Sequence, residues 1–240
     1  MQSSHAVMTM TPVLAAGVGV RYGRVWEGQR AWGQTTWALR SASFRLDAPA
    51  YGSAALGIVI AQDAAATALV DLLAGLTRPA YGELRVLGED LTTARGRAAV
   101  RARVGVARRA ARPQPAFRVR GLVEHAARLA GLPSRDRDPL AAAIVDRLSL
   151  TPWADVPLRA APEAISRRAR LAAAAVHQPD LLLIDGLLDD LPSGESGPLA
   201  EAIRDLGRDT TVVATGRDGV LLWLACGEVL TMADGILVGL

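Results

Sequence analysis

The 240-residue chain contains no lysine, and all 27 of its basic side chains are arginine. Codon bias toward GC-rich triplets accounts for that skew. It does not make the chain a nucleic-acid binder, because the formal net charge is only +3 and the arginines are spread along the sequence. The densest basic stretch, Arg97 to Arg120 with Arg101, Arg103, Arg108, Arg109 and Arg112 inside it, fits a solvated face or an acidic protein partner better than DNA. Cysteine is almost absent. The lone Cys226 excludes an internal disulfide and any cysteine-based metal site, which suits a reducing compartment. The three histidines, His5, His125 and His177, have no metal-ligand spacing, and no serine or cysteine nucleophile constellation is present. No apolar run reaches the ~18 residues of a spanning helix. The nearest, Val220 to Met232, is broken by Gly227 and Glu228. Ala6 to Val20 is mildly apolar but lacks a basic start and leads into a strand-like run, so no signal peptide is expected. Aromatics are scarce, yet half the residues are hydrophobic, enough for a full core.

The apolar residues recur with two periods. Val13 to Tyr22 reads as a strand, Gly23 to Gln34 as a loop carrying Trp26 and Trp32, and Leu39 to Leu46 alternates like a half-buried strand. Pro49 and Gly52 punctuate before Ala54 to Ala61, a continuous apolar run of the kind buried on both faces. A helix pattern follows from about Ala64 to Leu73 and stops at Gly75. After a turn at Pro79 and Gly82, Glu83 to Leu87 is a strand, and Gly88 to Asp90 turns again. Val119 to Ala130, Pro139 to Leu148 and Pro162 to Val176 have helical spacing. Leu181 to Ile184, ending on Asp185, is a second fully apolar strand. Leu199 to Leu206 is helical, Thr210 to Ala214 a strand, and Gly219 to Ala225 a short helix. Glu228 to Met232 and Ile236 to Val238 make a final hairpin about Ala233-Asp234-Gly235. Strands alternating with helices predict an α/β core with a parallel sheet, and the long helical block predicts a subdomain of its own.

A buried strand, a tight loop and a helix make a phosphate site when glycines let backbone N–H groups converge, a lysine reaches the phosphates and a hydroxyl binds magnesium. Here Gly57-Ile58-Val59-Ile60 runs into Ala61-Gln62-Asp63-Ala64-Ala65-Ala66-Thr67, and taken alone that segment is an ordinary strand–loop–helix. Beyond it, Leu72-Leu73-Ala74-Gly75-Leu76, Arg78-Pro79, Tyr81-Gly82-Glu83 and Val86-Leu87-Gly88 resemble the ATP-binding subunits of ABC transporters just past their phosphate loop. The resemblance covers nearly the whole chain. It implies a single cassette over 1–240 with a P-loop NTPase-like core. That core has a mainly parallel sheet, an N-terminal antiparallel β region and a helical subdomain inserted at 110–178.

The same register names the positions that would hold nucleotide and shows most of them changed. Ile60, Asp63 and Ala65 stand at loop glycines and Ala66 at the lysine, with Gln62 and Ala68 flanking; Thr67 alone matches, as the magnesium-binding hydroxyl. Asp63 places a carboxylate where an anion belongs, or caps the helix start itself. Tyr22, in Arg21-Tyr22-Gly23, matches the adenine-stacking aromatic. Arg109, after Val104-Gly105-Val106-Ala107-Arg108, replaces the glutamine that links magnesium to the transmembrane partner. The signature Leu-Ser-Gly-Gly-Gln reads Ala161-Pro162-Glu163-Ala164-Ile165, which suits a plain helix start rather than a phosphate grip. Asp185 matches the magnesium carboxylate, but Gly186 stands at the catalytic glutamate, Asp189-Asp190-Leu191-Pro192 departs from the following loop pattern, and Gly216 replaces the switch histidine.

The expectation is therefore a pseudo-ATPase subunit, cytoplasmic and peripheral on the inner face of the cell membrane. It would dock on a permease, on an ATPase sister subunit as homo- or heterodimer, or on both, through an arginine-lined cleft including Arg109, Arg118 and Arg120. No catalytic residue, cofactor, metal or nucleic-acid partner is expected; ATP and magnesium, held at Thr67 and Asp185, belong to the alternative of a working transport ATPase. A soluble regulatory relative of the family is a third reading.

Overall fold

The computed structural model describes residues 11–21, 37–47, 54–109, 117–233 and 236–238. Tyr22, the Trp26–Trp32 loop, Pro49, Gly52, Arg112 and the Asp234-Gly235 tip lie outside the described residues. In chain order the elements are β1 (Val13–Arg21), β2 (Trp37–Leu46), β3 (Ala55–Ile60), α1 (Asp63–Leu73), β4 (Tyr81–Val86), β5 (Glu89–Asp90), α2 (Ala94–Arg101) and β6 (Val104–Arg108). There follow α3 (Val119–Leu129), α4 (Ser134–Arg147), α5 (Glu163–Ala175), β7 (Leu181–Asp185), α6 (Ser193–Leu206), β8 (Thr211–Gly216), α7 (Gly219–Cys226), β9 (Val229–Ala233) and β10 (Ile236–Val238).

One ten-stranded sheet runs β5-β4-β1-β2-β10-β9-β3-β8-β7-β6. Its first four strands pair antiparallel, and β9 and β10 close an antiparallel hairpin. The strands β9, β3, β8, β7 and β6 are parallel. Burial follows the sequence periods. β2 alternates buried and exposed positions over its second half, whereas every residue of β7 and β8 is buried, because helices cover both faces there. One apolar cluster joins the antiparallel strands to α1, around Leu39, Leu69 and Leu73; a second gathers Val123, Leu171, Leu182 and Leu199 from α3, α5, β7 and α6. The fold thus has the expected α/β core, with α3, α4 and α5 lying between β6 and β7.

Four local differences from the sequence reading have physical causes. Helix α2 has no long apolar stripe and buries only Gly96 and Val100; what starts it is Thr93, whose hydroxyl accepts the Gly96 N–H at 3.0 Å. Gly96 is required there, since a Cβ would sit 2.1 Å from the Asp90 carbonyl oxygen. Helices α4 and α6 begin at Ser134 and Ser193, ahead of the starts read at Pro139 and Leu199, so Pro139 and Pro198 lie inside them. The basic stretch is also not a bare solvated face. Arg97 donates to the Leu91 and Thr92 carbonyls, Arg101 to Gly75, Arg103 to Leu87 and Asp180, and Arg108 to Asp71. These guanidiniums fasten loops of their own chain, each with several donors to spend.

Candidate functional site

The parallel strands bring their C-terminal ends to one edge of the sheet, the place where open α/β sheets build their sites. Four connections meet there: the β3–α1 turn, Arg109 after β6, residues 186–190 after β7, and Arg217 after β8.

The β3–α1 turn is closed up. Only Ala61 and Gln62 separate β3 from α1, which starts at Asp63. Gln62 is the N-cap and makes no side-chain cap bond, so Asp63 is the first helical residue rather than the cap, correcting the capping expectation. The N–H groups of Ala65 and Ala66 both donate to the Gln62 carbonyl, at 3.0 and 3.1 Å. None of residues 61–66 takes a positive φ. The positions read from sequence as loop glycines are therefore unstrained, and Asp63 to Ala66 form the first turn of α1. Ala65 and Ala66 are buried in the first core cluster, with Ala68 partly buried against it.

Thr67 and Asp185 do come together. The Thr67 hydroxyl donates to Asp185 Oδ2 at 2.9 Å, bridging α1 and the end of β7. Burial pushes the Asp185 carboxyl above its usual range, opposed by the Thr67 bond and by the charge of Arg108. No group of three or more His, Cys, Asp or Glu side chains placed for a metal occurs among the described residues.

The rest of the edge is an unbroken alternation of charge. Asp63 accepts from Arg109 at 2.5 Å, and the other arm of Arg109 meets Asp190. Asp190 in turn accepts from Arg217 at 2.5 Å, and Arg217 reaches Asp189, its backbone N–H donating to Asp189 Oδ1 at 2.8 Å. Arg217 holds the Asp190 carboxyl below its ordinary range. Burial acts the other way on Asp189 and raises it, opposed by the N–H and charge of Arg217. The Asp189 side chain is only 4% exposed. Its space comes from the two glycines at the expected glutamate and histidine positions. A Cβ on Gly186 would stand 3.2 Å from Asp189 Oδ2, and one on Gly216 3.1 Å from Asp189 Oδ1. Gly186 also has φ +63, a conformation that side chains other than glycine's resist.

The five signature-position residues make a plain helix start. Ala161 and Pro162 are extended, and α5 begins at Glu163. Ala164 is buried and Ile165 packs against the second core cluster. The Glu163 carboxylate turns back along α5 to Arg167 at 2.9 Å and Arg170 at 3.5 Å. Arg167, buried, donates to the carbonyls of Leu187 (2.9 Å) and Asp189, and Arg170 donates to the Arg109 carbonyl at 3.0 Å. Sequence reasoning did not find Asp190, Arg217, Arg167 or Arg170 as partners. The spacing of four between Glu163 and Arg167 is the one local signal among these pairs; Arg109 and Asp190 are 81 residues apart, and no spacing links them.

Arg118 and Arg120 are exposed at the start of α3. Arg118 donates to the Asp155 carbonyl and Arg120 forks onto the Asp155 carboxylate, 2.8 Å to each oxygen. Arg109, expected beside them, is instead held by Asp63 and Asp190.

A family model described as ABC transporter matches residues 66–188, half of the chain, beginning just past the closed turn. Two curated relatives, each a methionine import ATP-binding protein MetN 2, from Burkholderia mallei and Burkholderia pseudomallei, are 26% identical over 234 residues. The matched region is 95% of this chain but 57% of theirs, so the chain spans little more than half of those relatives. Among solved structures, cbiO1 from Clostridium perfringens, part of the ABC transporter complex cbiONQ, superposes with a TM-score of 0.75 at 16% identity, covering 95% of this chain and 87% of that one. The ATP-binding cassette MJ0796, solved as a dimer in a post-hydrolysis state with ADP and Pi, superposes with 0.75 at 15% identity, covering 93% and 95%. At such identities the likeness establishes a shared fold.

Proposed function

Because this chain belongs to the ABC transporter family, we propose that it serves as a pseudo-ATPase subunit: a cassette that docks on a membrane permease, an active sister ATPase, or both, without holding ATP itself. The observation that carries this is the Asp63–Arg109 pair at the phosphate-loop position. A carboxylate occupies the anion's place, and its countercharge comes from within the chain. Mg-ATP does not fit these residues. The Ala65 and Ala66 N–H groups are spent, position 66 offers no ammonium, and each added phosphate charge would meet Asp63 at a repulsion of roughly 1 kcal/mol or more. Gly186 supplies no base for water, a loss worth ~10²–10⁴-fold. No step of hydrolysis is derived from this site.

The helical block 110–178 acts as the docking subdomain in this reading. No described helix is long and apolar enough to cross a membrane, and attachment is peripheral, on the inner face of the cell membrane, through partner contacts. Only Arg120 is paired with a carboxylate, that of Asp155, while Arg118 donates to the Asp155 carbonyl, so the two keep one net positive charge for an acidic loop of the permease. The expected result is that the chain co-purifies with a permease from solubilised membranes whether or not ATP is present, and that R118E/R120E cuts the yield by about tenfold. An unchanged yield contradicts this docking surface.

A working ATPase that powers transport is the second reading. It rests on the Thr67–Asp185 contact, which keeps a hydroxyl and a carboxylate adjacent as a magnesium site needs.

A further inference from the structure

We infer that the alternating series Asp63–Arg109–Asp190–Arg217–Asp189 is a clasp that holds the connections after β3, β6, β7 and β8, and through their backbone α5 of the helical block, in one arrangement independent of nucleotide. Its members stand at the ends of four different connections, after β3, β6, β7 and β8, so closing it fixes all four together. The two inner arginines each serve two carboxylates. Removing one leaves both of its neighbours without their shared countercharge, and the effect spreads along the series.

The helical block grips the same residues from behind. Arg170 of α5 holds the carbonyl of Arg109, and buried Arg167 holds the carbonyls of Leu187 and Asp189. Side chains of Arg109 and Asp189 thus close the clasp while their backbones anchor α5. Glu163 completes the frame by accepting from Arg167 and pairing in charge with Arg170. The arrangement also requires glycine at two places, since Asp189 fills the space beside Gly186 and Gly216. The losses at these two positions and the acidic Asp189 are then one structural change rather than separate ones. The inference rests on the pseudo-ATPase reading for its consequence: a subunit without nucleotide presents a constant surface to its partner.

Hydrogen exchange on the full chain tests it, comparing wild type with R109Q and with the milder D190N, each with and without Mg-ATP. R109Q is expected to speed exchange about tenfold in α5 and in residues 186–190, D190N to act less strongly in the same segments, and β1 and β4 to stay unchanged. High salt should loosen the same segments in the wild type. Exchange in α5 and 186–190 within about twofold of wild type in D190N, and in R109Q where it folds, overturns the clasp. Protection of residues 61–70 of the wild type by Mg-ATP counts instead against the pseudo-ATPase reading, and the variants still decide the clasp.

Discussion

Restoring the glutamate at position 186 is expected to destabilise this protein and to yield no ATP turnover. Gly186 sits at φ +63, and an L side chain there costs roughly 1–2 kcal/mol. Its Cβ would lie 3.2 Å from Asp189 Oδ2, in the turn after β7, and residues 181–189 of that strand and turn are all buried. The new carboxylate would then face Asp189, and the arginine beside it, Arg109, is already shared between Asp63 and Asp190. Together these terms predict a loss of roughly 2–4 kcal/mol for G186E, a fall in Tm of about 5–12 °C at ~2–4 °C per kcal/mol for a chain of this size. G186A isolates the backbone part and should lose about half as much. A G186E variant as stable as the wild type, or one that hydrolyses ATP, refutes the reading of this loop.

Arg167 is expected to matter still more. The residue is 5% exposed, and its guanidinium serves the carbonyls of Leu187 and Asp189 besides Glu163. Truncating it strands two buried carbonyl oxygens and opens a gap under the 186–190 loop. Hydrogen bonds from a charged donor are worth ~1.5–3 kcal/mol each, so R167A should cost about 3–5 kcal/mol and lower Tm by roughly 8–15 °C. R167M retains much of the side-chain volume but none of the donors, and comparing the two by thermal unfolding separates packing from hydrogen bonding. If R167M matches the wild type, the loop does not depend on this arginine.

Much of the architecture was legible because it is written in local periods. The apolar runs at Ile58 and at Leu181–Ile184 are the strands at the centre of the parallel sheet. Asp63 stood out from sequence as a carboxylate at the helix start, but it does not cap that helix. Gln62 holds the N-cap position without a side-chain bond, and Asp63 pairs with an arginine 46 residues away. That pairing depends on which strand ends the sheet topology brings side by side, and no spacing in the sequence encodes it. Helix α2 was missed for a different reason: its eight residues are rich in arginine, and its cap, Thr93, is the only strong local signal. The basic stretch read as a surface feature for the same cause, since the carbonyls that absorb Arg97, Arg101 and Arg103 belong to distant turns as well as near ones. Gly186 and Gly216 were singled out from sequence, whereas the Asp189 carboxylate lying beside both emerged only from the fold.

The central claim is that the chain's own Asp63–Arg109 pair stands where nucleotide would bind. Calorimetric titration of the purified chain with Mg-ATP tests it most directly. The account predicts no saturable heat up to about 1 mM ATP, a binding free energy weaker than roughly −4 kcal/mol. A micromolar Kd that is abolished by Thr67→Ala would contradict it.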